Sequence, residues 1–75
     1  MKKVLVTGGT RGIGRDIARE FLKRDFFVCA AYSSDEESAA ESAAEGIDVF
    51  RADVSDEAQV KALFGHVGNV DILVN

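Results

Sequence analysis

The segment "TGGTRGIG", residues 7–14, contains the residue types that point most directly to chemistry. It follows the apolar residues "VLV" and has glycines at positions 8, 9, 12 and 14. Because glycine has no side chain and adopts left-handed backbone conformations, such a turn lets a ligand approach the main chain closely. Where the turn opens a helix, unpaired N–H groups and the positive end of the helix dipole attract an anion. The segment therefore predicts a phosphate-binding turn, with a glycine-rich connection that binds nothing as the alternative.

Two more side chains of this segment can take part in binding. Arg11 is a fixed cation that can form paired hydrogen bonds to a phosphate or lie over a flat ring. The alternative is an arginine that only meets solvent. Thr7 precedes the glycines, and its hydroxyl can brace the turn without touching a ligand. We interpret Arg11 as a ligand contact and Thr7 as a support.

Four apolar runs alternate with three helical patterns along the chain. The predicted strands are residues 3–7, 26–32, 47–51 and 70–75, and the predicted helices are residues 12–24, 35–45 and 56–67. The strands are continuously apolar, which is typical of strands buried on both faces of a parallel sheet. Right-handed strand–helix–strand crossovers then give an α/β fold with helices on both faces. The glycine turn lies between the first strand and the first helix.

Helix boundaries are predicted from capping residues. Ser34 is the expected N-cap of the second helix, with Glu37 completing a capping box and Asp35 in the first turn. Ser55 is the expected N-cap of the third helix. The first helix is expected to bury one stripe of apolar residues. That stripe is Ile13, Ile17, Phe21 and Leu22.

The bulk composition argues against several classes of protein. The 75 residues are 47% hydrophobic and carry a net charge of −4, as expected of a globular rather than a disordered chain. No apolar run approaches the roughly 20 residues of a membrane span, and the basic residues form no stripe that would bind nucleic acid. The single cysteine, Cys29, cannot form an internal disulfide and favours a reducing, cytoplasmic setting. Because Cys29 and the single histidine, His66, lie far apart in the sequence, we predict no metal site.

Three motifs, in order along the whole chain, resemble the classical short-chain dehydrogenase/reductase family. The first is T-G-x-x-x-G-I-G, which differs from the general dinucleotide fingerprint G-x-G-x-x-G. It also differs from the extended members of the family, which have glycine where Arg11 stands. The second is "ADVSD", residues 52–56, and the third is the final "DILVN", similar to the strand that leads into the family's Asn-Asn-Ala-Gly motif. Within the family, the glycine turn is most like that of the bacterial β-ketoacyl-ACP reductases.

The resemblance implies a Rossmann-type doubly wound parallel sheet with strand order 3-2-1-4 and a bound nicotinamide cofactor. The residues it would place on the cofactor are Gly8, Thr10, Arg11, Gly12, Ile13, Gly14, Tyr32, Ser33, Asp53, Val54 and Asn75. Asp53 would meet the adenine amino group, and Asn75 would be the first residue of Asn-Asn-Ala-Gly. Members that prefer NAD have an aspartate at the end of the second strand, where this chain has Tyr32 followed by Ser33. In the family a basic residue before the second motif glycine, here Arg11, accompanies NADP(H), so NADP(H) is the expected cofactor.

The family's catalytic residues have no counterpart in the chain. Tyr32 is the only tyrosine, and position 36 is glutamate where the family's Tyr-x-x-x-Lys motif needs lysine. We therefore expect residues 1–75 to be the N-terminal part of a single NAD(P)-binding domain whose catalytic remainder lies outside the chain. The full-length protein would be a cytoplasmic homo-oligomer, a tetramer, that reduces a small-molecule ketone or β-ketoacyl thioester. A non-catalytic redox-sensing module is the alternative. A receiver-like domain would need an acidic cluster after the first strand, where this chain has glycines.

Overall fold

Four strands form one parallel sheet with three helices between them in the computed structural model, which describes residues 1–75. The elements are β1 (Lys3–Thr7), α1 (Gly12–Lys23), β2 (Phe27–Tyr32), α2 (Glu36–Ala44), β3 (Asp48–Arg51), α3 (Glu57–Val67) and β4 (Ile72–Val74). The strand order is β3-β2-β1-β4, which confirms the predicted α/β fold and its 3-2-1-4 order. None of the three helices has the length and apolar composition that crossing a membrane requires.

Helices cover both faces of the central strand β1, as its continuously apolar sequence predicts. Successive side chains of a strand point to opposite faces, so β1 sends Val4 and Val6 to one face and Leu5 to the other. Ala18 of α1 packs with Val4 and Val6, whereas Leu63 of α3 packs with Leu5. All five residues are at most 1% exposed. The helices α1 and α3 therefore lie on opposite faces, and β1 needs an apolar side chain at each of its central positions.

Asp35 caps α2, whereas the sequence predicts Ser34 with a capping box. One carboxylate oxygen of Asp35 accepts the backbone N–H of Ser38 at 3.0 Å, and the other accepts the Ser38 hydroxyl at 2.9 Å. A serine at the cap offers a single oxygen, so these two bonds favour a helix that begins one residue later, at Glu36. The same bonds, the backbone one first, lower the pKa of the Asp35 carboxyl. The prediction of Ser34 as N-cap is wrong by one position.

Asp56 caps α3 in place of the predicted Ser55. Its carboxylate accepts the N–H of Ala58 at 3.0 Å. Ser55 instead turns back to Asp53, whose Oδ1 accepts the Ser55 hydroxyl at 2.6 Å and the Ser55 N–H at 2.9 Å. Because Ser55 is hydrogen-bonded to Asp53 in the turn before the helix, Asp56 is the residue that caps α3. Both α2 and α3 therefore begin with an aspartate cap and an acidic first turn.

An ion-pair cluster joins the side of α1 to the end of α2. Glu45, directly after α2, accepts Arg19 Nε at 2.7 Å with one carboxylate oxygen and Arg15 Nη2 at 2.9 Å with the other. The hydrogen bond from Arg19, followed by the one from Arg15, lowers the pKa of the Glu45 carboxyl from 4.5 to about 2. Because the pKa is lowered in the folded state, Glu45 stabilises the fold above pH 4.5, and this contribution is lost as the pH falls toward 2.

The variant Glu45→Gln is expected to lower the melting temperature of the full-length protein at neutral pH, because a neutral amide binds two guanidinium groups less strongly than a carboxylate. The difference between parent and variant should shrink as the pH falls from 4.5 to 2. Thermal melting followed by circular dichroism across this range measures the effect. Glu41→Gln is the control, since Glu41 lies 3.7 Å from Arg15 and its side chain is 56% exposed. Equal melting temperatures for parent and Glu45→Gln at every pH would contradict the assignment.

Candidate functional site

The carboxyl ends of the strands meet at one edge of the sheet, and the glycine turn lies there. β1 ends at Thr7, and the next residue, Gly8, donates its N–H to the Ala31 carbonyl oxygen at 2.9 Å. β2 ends at Tyr32, whose carbonyl oxygen accepts the Ala52 N–H at 2.8 Å. These bonds hold the loops that follow three strands side by side. The residues that the sequence predicts around a cofactor therefore converge, although they come from separate segments.

Gly8 and Gly12 have left-handed backbone conformations, with φ angles of +66° and +60°. Residues with a side chain are rarely found in this region of φ. A Cβ atom built at either position would meet no other atom within 4 Å. The two glycines are therefore required by the course of the turn rather than by packing inside the protein, and they leave open space over the main chain.

Gly14, in the first turn of α1, is required for a different reason. A Cβ atom there would overlap the carbonyl oxygen of Gly8 and lie 2.9 Å from its carbonyl carbon. The start of α1 thus packs main chain to main chain against the residue that follows β1. This contact fixes where the first N–H groups of the helix lie relative to the turn.

The start of α1 differs from the starts of α2 and α3. Arg11 occupies its N-cap position, its side chain makes no capping hydrogen bond, and no acidic residue lies in the first turn. By contrast, Asp35 and Asp56 cap the other two helices, and glutamate follows each of them. The first N–H groups of a helix have no partner within it, and the helix dipole places roughly half a positive charge there. The start of α1 is therefore the helix N-terminus that remains able to bind an external anion.

Two cavities open beside the glycine turn. The larger is about 400 Å³ and lies at the ends of β1, β2 and β3, and the smaller is about 130 Å³ and lies between the turn and the start of α2. Residues predicted to contact the cofactor line both of them. Those of the larger cavity are Gly8, Tyr32, Ser33, Asp53 and Val54, and those of the smaller are Gly8, Thr10, Arg11, Tyr32 and Ser33.

Two predicted contact residues, Ile13 and Thr10, differ sharply in exposure. Ile13 is 79% exposed, so its predicted place in the buried apolar stripe of α1 is wrong. The stripe begins at Ile17, because the first turn of the helix carries Ile13 away from the sheet face that Ile17 and Phe21 contact. Thr10 is buried, and its carbonyl oxygen accepts the Ser42 hydroxyl at 3.3 Å. Thr10 thus ties the turn to α2.

Thr7 joins the glycine turn to the last strand. Its hydroxyl donates to the Val74 carbonyl oxygen at 3.3 Å and lies 3.3 Å from Oδ1 of Asn75. The hydroxyl therefore braces the end of β1 against the last strand, whereas the sequence predicts that it braces the glycine turn. It also places Asn75, the residue after β4, at the same edge of the sheet as the turn.

A hydrogen-bonded group at the end of β2 was missed by sequence reasoning. The Tyr32 hydroxyl donates to one carboxylate oxygen of Glu36 at 2.8 Å, and Arg51 donates to the other at 3.0 Å. Arg51 also donates to the Ser33 carbonyl oxygen at 3.0 Å. The bond to Glu36 raises the pKa of Tyr32. The available signal was the strand order, which places the end of β3, and hence Arg51, beside the end of β2.

Arg11 and Asp35 form an ion pair beside the smaller cavity. Arg11 Nη1 lies 3.4 Å from Asp35 Oδ2, and the arginine side chain is 73% exposed. The same carboxylate oxygen accepts the Ser38 hydroxyl, so Asp35 is shared between the cap of α2 and Arg11. An exposed ion pair contributes little to stability, and Arg11 can therefore move onto a ligand at small cost.

Comparison with known proteins assigns this geometry to a family. The family model described as "short chain dehydrogenase" matches residues 2–75. The chain belongs to the short-chain dehydrogenase family. Members of the short-chain dehydrogenase family bind NAD(P). The groups at the turn fit the pyrophosphate of such a cofactor, because the start of α1 offers N–H donors and the glycines keep its approach open.

Individual short-chain dehydrogenases match the chain over nearly its full length. The 3-oxoacyl-(acyl-carrier-protein) reductase FabG of Staphylococcus aureus is 39% identical over 84 aligned positions, which cover 99% of this chain and 34% of FabG. A solved "short chain dehydrogenase/reductase family protein" has a TM-score of 0.90 at 34% identity, covering 99% of this chain and 32% of that one. BdcA in complex with NADPH has a TM-score of 0.87 at 33% identity, covering 96% and 30%. The chain thus spans about a third of the length of these relatives.

The variant Gly14→Ala is expected to destabilise the full-length protein by about 1–3 kcal/mol, because the added methyl group meets main-chain atoms that cannot move aside. Gly65→Ala in α3 is the matched control. A Cβ atom at Gly65 would meet nothing within 4 Å, and alanine is favoured over glycine in a helix interior by up to about 1 kcal/mol. Urea unfolding measures both changes. A Gly14→Ala variant as stable as the parent would show that α1 does not start against the Gly8 carbonyl.

Proposed function

We propose that residues 1–75 form the N-terminal, cofactor-binding part of a single NAD(P)-binding domain in an NADP(H)-dependent reductase, with the catalytic residues outside the chain. The observation that carries the proposal is the start of α1. It has no side-chain cap, it follows an open glycine turn, and it lies beside two cavities. A dinucleotide needs this combination, because its pyrophosphate requires an anion site and its adenosine requires a neighbouring cavity.

In this proposal the N–H groups at the start of α1 bind the pyrophosphate, and the larger cavity takes the adenosine. Gly8 and Gly12 keep the main chain clear for the phosphates, and Gly14, also a proposed cofactor contact, lets the start of α1 pack against the Gly8 carbonyl. Ile13, exposed on α1, lies against the bound cofactor instead of in the core. Asp53 accepts the adenine amino group through Oδ2, since its Oδ1 is occupied by Ser55. The remaining contacts are proposed for Thr10, Tyr32, Ser33, Val54 and Asn75.

The preference for NADP(H) is proposed from the smaller cavity. Arg11 lines it from the glycine turn, and Ser33 offers a hydroxyl for the 2′-phosphate. β2 ends at Tyr32, so no carboxylate stands where NAD-preferring proteins hold the ribose hydroxyls. Asp35, the carboxylate that lines this cavity, is held by Ser38 and paired with Arg11. The related BdcA, whose structure contains NADPH, supports the same choice.

The proposed substrate is a small-molecule ketone or β-ketoacyl thioester, reduced to the hydroxy compound by a cytoplasmic homo-oligomer, a tetramer. The name of the FabG relative, a 3-oxoacyl-(acyl-carrier-protein) reductase, supports this substrate class. When bound, NADPH would supply the hydride that reduces the carbonyl carbon, and an acid group outside this chain would supply the proton to the carbonyl oxygen. The residues of this chain bind and orient the cofactor. A redox-sensing module would bind NADPH without turnover, so NADPH oxidation by the full-length protein with a β-ketoacyl thioester separates the two.

The variant Arg11→Ala tests the proposed 2′-phosphate contact in the full-length protein. The parent is expected to bind NADPH more tightly than NADH. The variant should lose roughly ten- to a hundredfold in NADPH affinity, the size of a charged hydrogen-bonded contact, with little change for NADH. Fluorescence titration measures both. Arg24→Ala is the control, because Arg24 lies at the far end of α1 in an exposed pair with Glu20. Equal affinity of the parent for NADPH and NADH would contradict the proposed preference for NADP(H).

The variant Asp35→Asn tests the same contact from the opposite side. Asparagine caps a helix as well as aspartate does, so α2 should remain intact while the negative charge beside Arg11 is removed. NADPH affinity is expected to rise, because Arg11 is released and the 2′-phosphate meets no carboxylate. Asp56→Asn, at the equivalent cap of α3, is the matched control and should leave NADPH affinity unchanged. Unchanged or weaker NADPH binding by folded Asp35→Asn protein would place the 2′-phosphate elsewhere.

A further inference from the structure

A second cluster of side chains able to do chemistry lies toward the opposite edge of the sheet. Cys29 of β2 is paired in register with Asp48, the first residue of β3. His66 lies in the last turn of α3, which covers the same face. The thiol sulfur, a carboxylate oxygen and an imidazole nitrogen all lie within 4.8 Å of one another. The fold thus brings together the only cysteine and the only histidine of the chain.

The three side chains lie at different depths. Cys29 is fully buried and packs in the same cluster as Leu63, whereas the side chains of Asp48 and His66 are 35% and 40% exposed. His66 Nε2 lies 2.8 Å from Asp48 Oδ2. The His66 ring packs on Phe50 with centroids 4.7 Å apart, which fixes its orientation. The sulfur therefore lies at the buried end of the cluster, and the carboxylate and the imidazole lie at its exposed end, where solvent and ions have access.

The charges and the burial of these three side chains are consistent with two kinds of site. Burial, followed by the neighbouring Asp48 carboxylate, raises the pKa of Cys29 to about 12, so the thiol is protonated when no metal is present. One interpretation is an ordinary ion pair over a buried thiol. The other is a cation site, because thiolate, imidazole and carboxylate are the ligands that zinc takes in proteins. The positive charge of Lys3 acts in the opposite direction and lowers the pKa of the Cys29 thiol. The Lys3 Nζ donates a hydrogen bond to the Val67 carbonyl oxygen at 2.6 Å.

We propose that Cys29, Asp48 and His66 bind a divalent cation of the zinc class, with water as the fourth ligand. Zinc lies about 2.0–2.3 Å from its ligands, so neighbouring ligands of a tetrahedral site are about 3.3–3.8 Å apart. The contact between His66 and Asp48 at 2.8 Å opens by about 1 Å or less to reach that spacing. On binding, the thiol releases one proton to solvent and a sulfur–metal bond replaces the sulfur–hydrogen bond. His66 binds as the neutral ring and Asp48 as the carboxylate.

Such a cation would join β2, β3 and α3 and stabilise the fold. The proposal does not rest on the cofactor assignment, because the cluster shares no residue with the glycine turn or its cavities. The soft sulfur ligand and the single carboxylate favour zinc over magnesium or calcium, which prefer oxygen ligands throughout.

Cobalt(II) titration of the full-length protein tests the site, because cobalt takes zinc's place and reports its ligands by absorption. Protein freed of metal by a chelator is expected to bind cobalt with tetrahedral visible bands and a thiolate-to-cobalt charge-transfer band in the near ultraviolet. Added zinc should remove both, and zinc alone should raise the melting temperature. A parent protein that shows no charge-transfer band would overturn the proposal.

Variants assign the band to these residues. Cys29→Ala should lose the charge-transfer band, and His66→Gln should weaken cobalt binding at least roughly tenfold. Glu20→Gln, which removes an exposed carboxylate of α1, should leave both unchanged. Melting curves in chelator show whether each variant is folded. A folded Cys29→Ala protein that keeps the band, or His66→Gln with the parent's affinity, would leave only an ion pair over a buried thiol. Because His66 is half-exposed, its variant decides the question if Cys29→Ala does not fold.

Discussion

The positive end of a helix carries N–H groups that need a partner, and the three helices of this protein meet that need differently. Asp35 and Asp56 supply the partner for α2 and α3 from the chain itself. At the start of α1 the chain instead has Arg11, which gives no side-chain cap. The start of α1 lies at the edge of the sheet where β1 ends and both cavities open. In the proposed complex, the phosphates of the cofactor bind the N–H groups that the chain leaves without a side-chain cap.

The glycine turn makes that helix end accessible and holds it in place. Gly8 and Gly12 follow a left-handed course that leaves space over the main chain, whereas Gly14 lets α1 press against the Gly8 carbonyl. The sheet then fixes the turn, because β1, like β2, has a hydrogen-bonded neighbour on each side. Its apolar residues are buried by α1 on one face and by α3 on the other. The packing of the core therefore also fixes the position of the glycine turn.

The sequence predicted the backbone plan and missed details that depend on side-chain geometry. Strand order, crossovers and the glycine turn follow from apolar runs, glycine spacing and the family resemblance. The caps at Ser34 and Ser55 were each misplaced by one residue, because a neighbouring aspartate forms the stronger set of bonds. Ile13 fits the helical period but lies beyond the sheet.

Contacts between distant segments were the hardest part to predict. The pairing of Arg51 with Glu36 depends on how the ends of β2 and β3 align. The meeting of Cys29 and Asp48 depends on the register of the same two strands, and His66 reaches them only because α3 crosses back over that face. Periodicity along one segment carries no information on such register. It emerges only when strands pair and the helix packs.

A crystal structure of the full-length protein with NADP⁺ would show directly whether the start of α1 binds the pyrophosphate of the cofactor. We expect pyrophosphate oxygens to accept hydrogen bonds from the N–H groups at residues 12–14, at about 2.7–3.2 Å. We also expect the 2′-phosphate to lie against Arg11 in the smaller cavity. A cofactor bound with its pyrophosphate away from the start of α1, and with those N–H groups facing only water, would contradict the proposal.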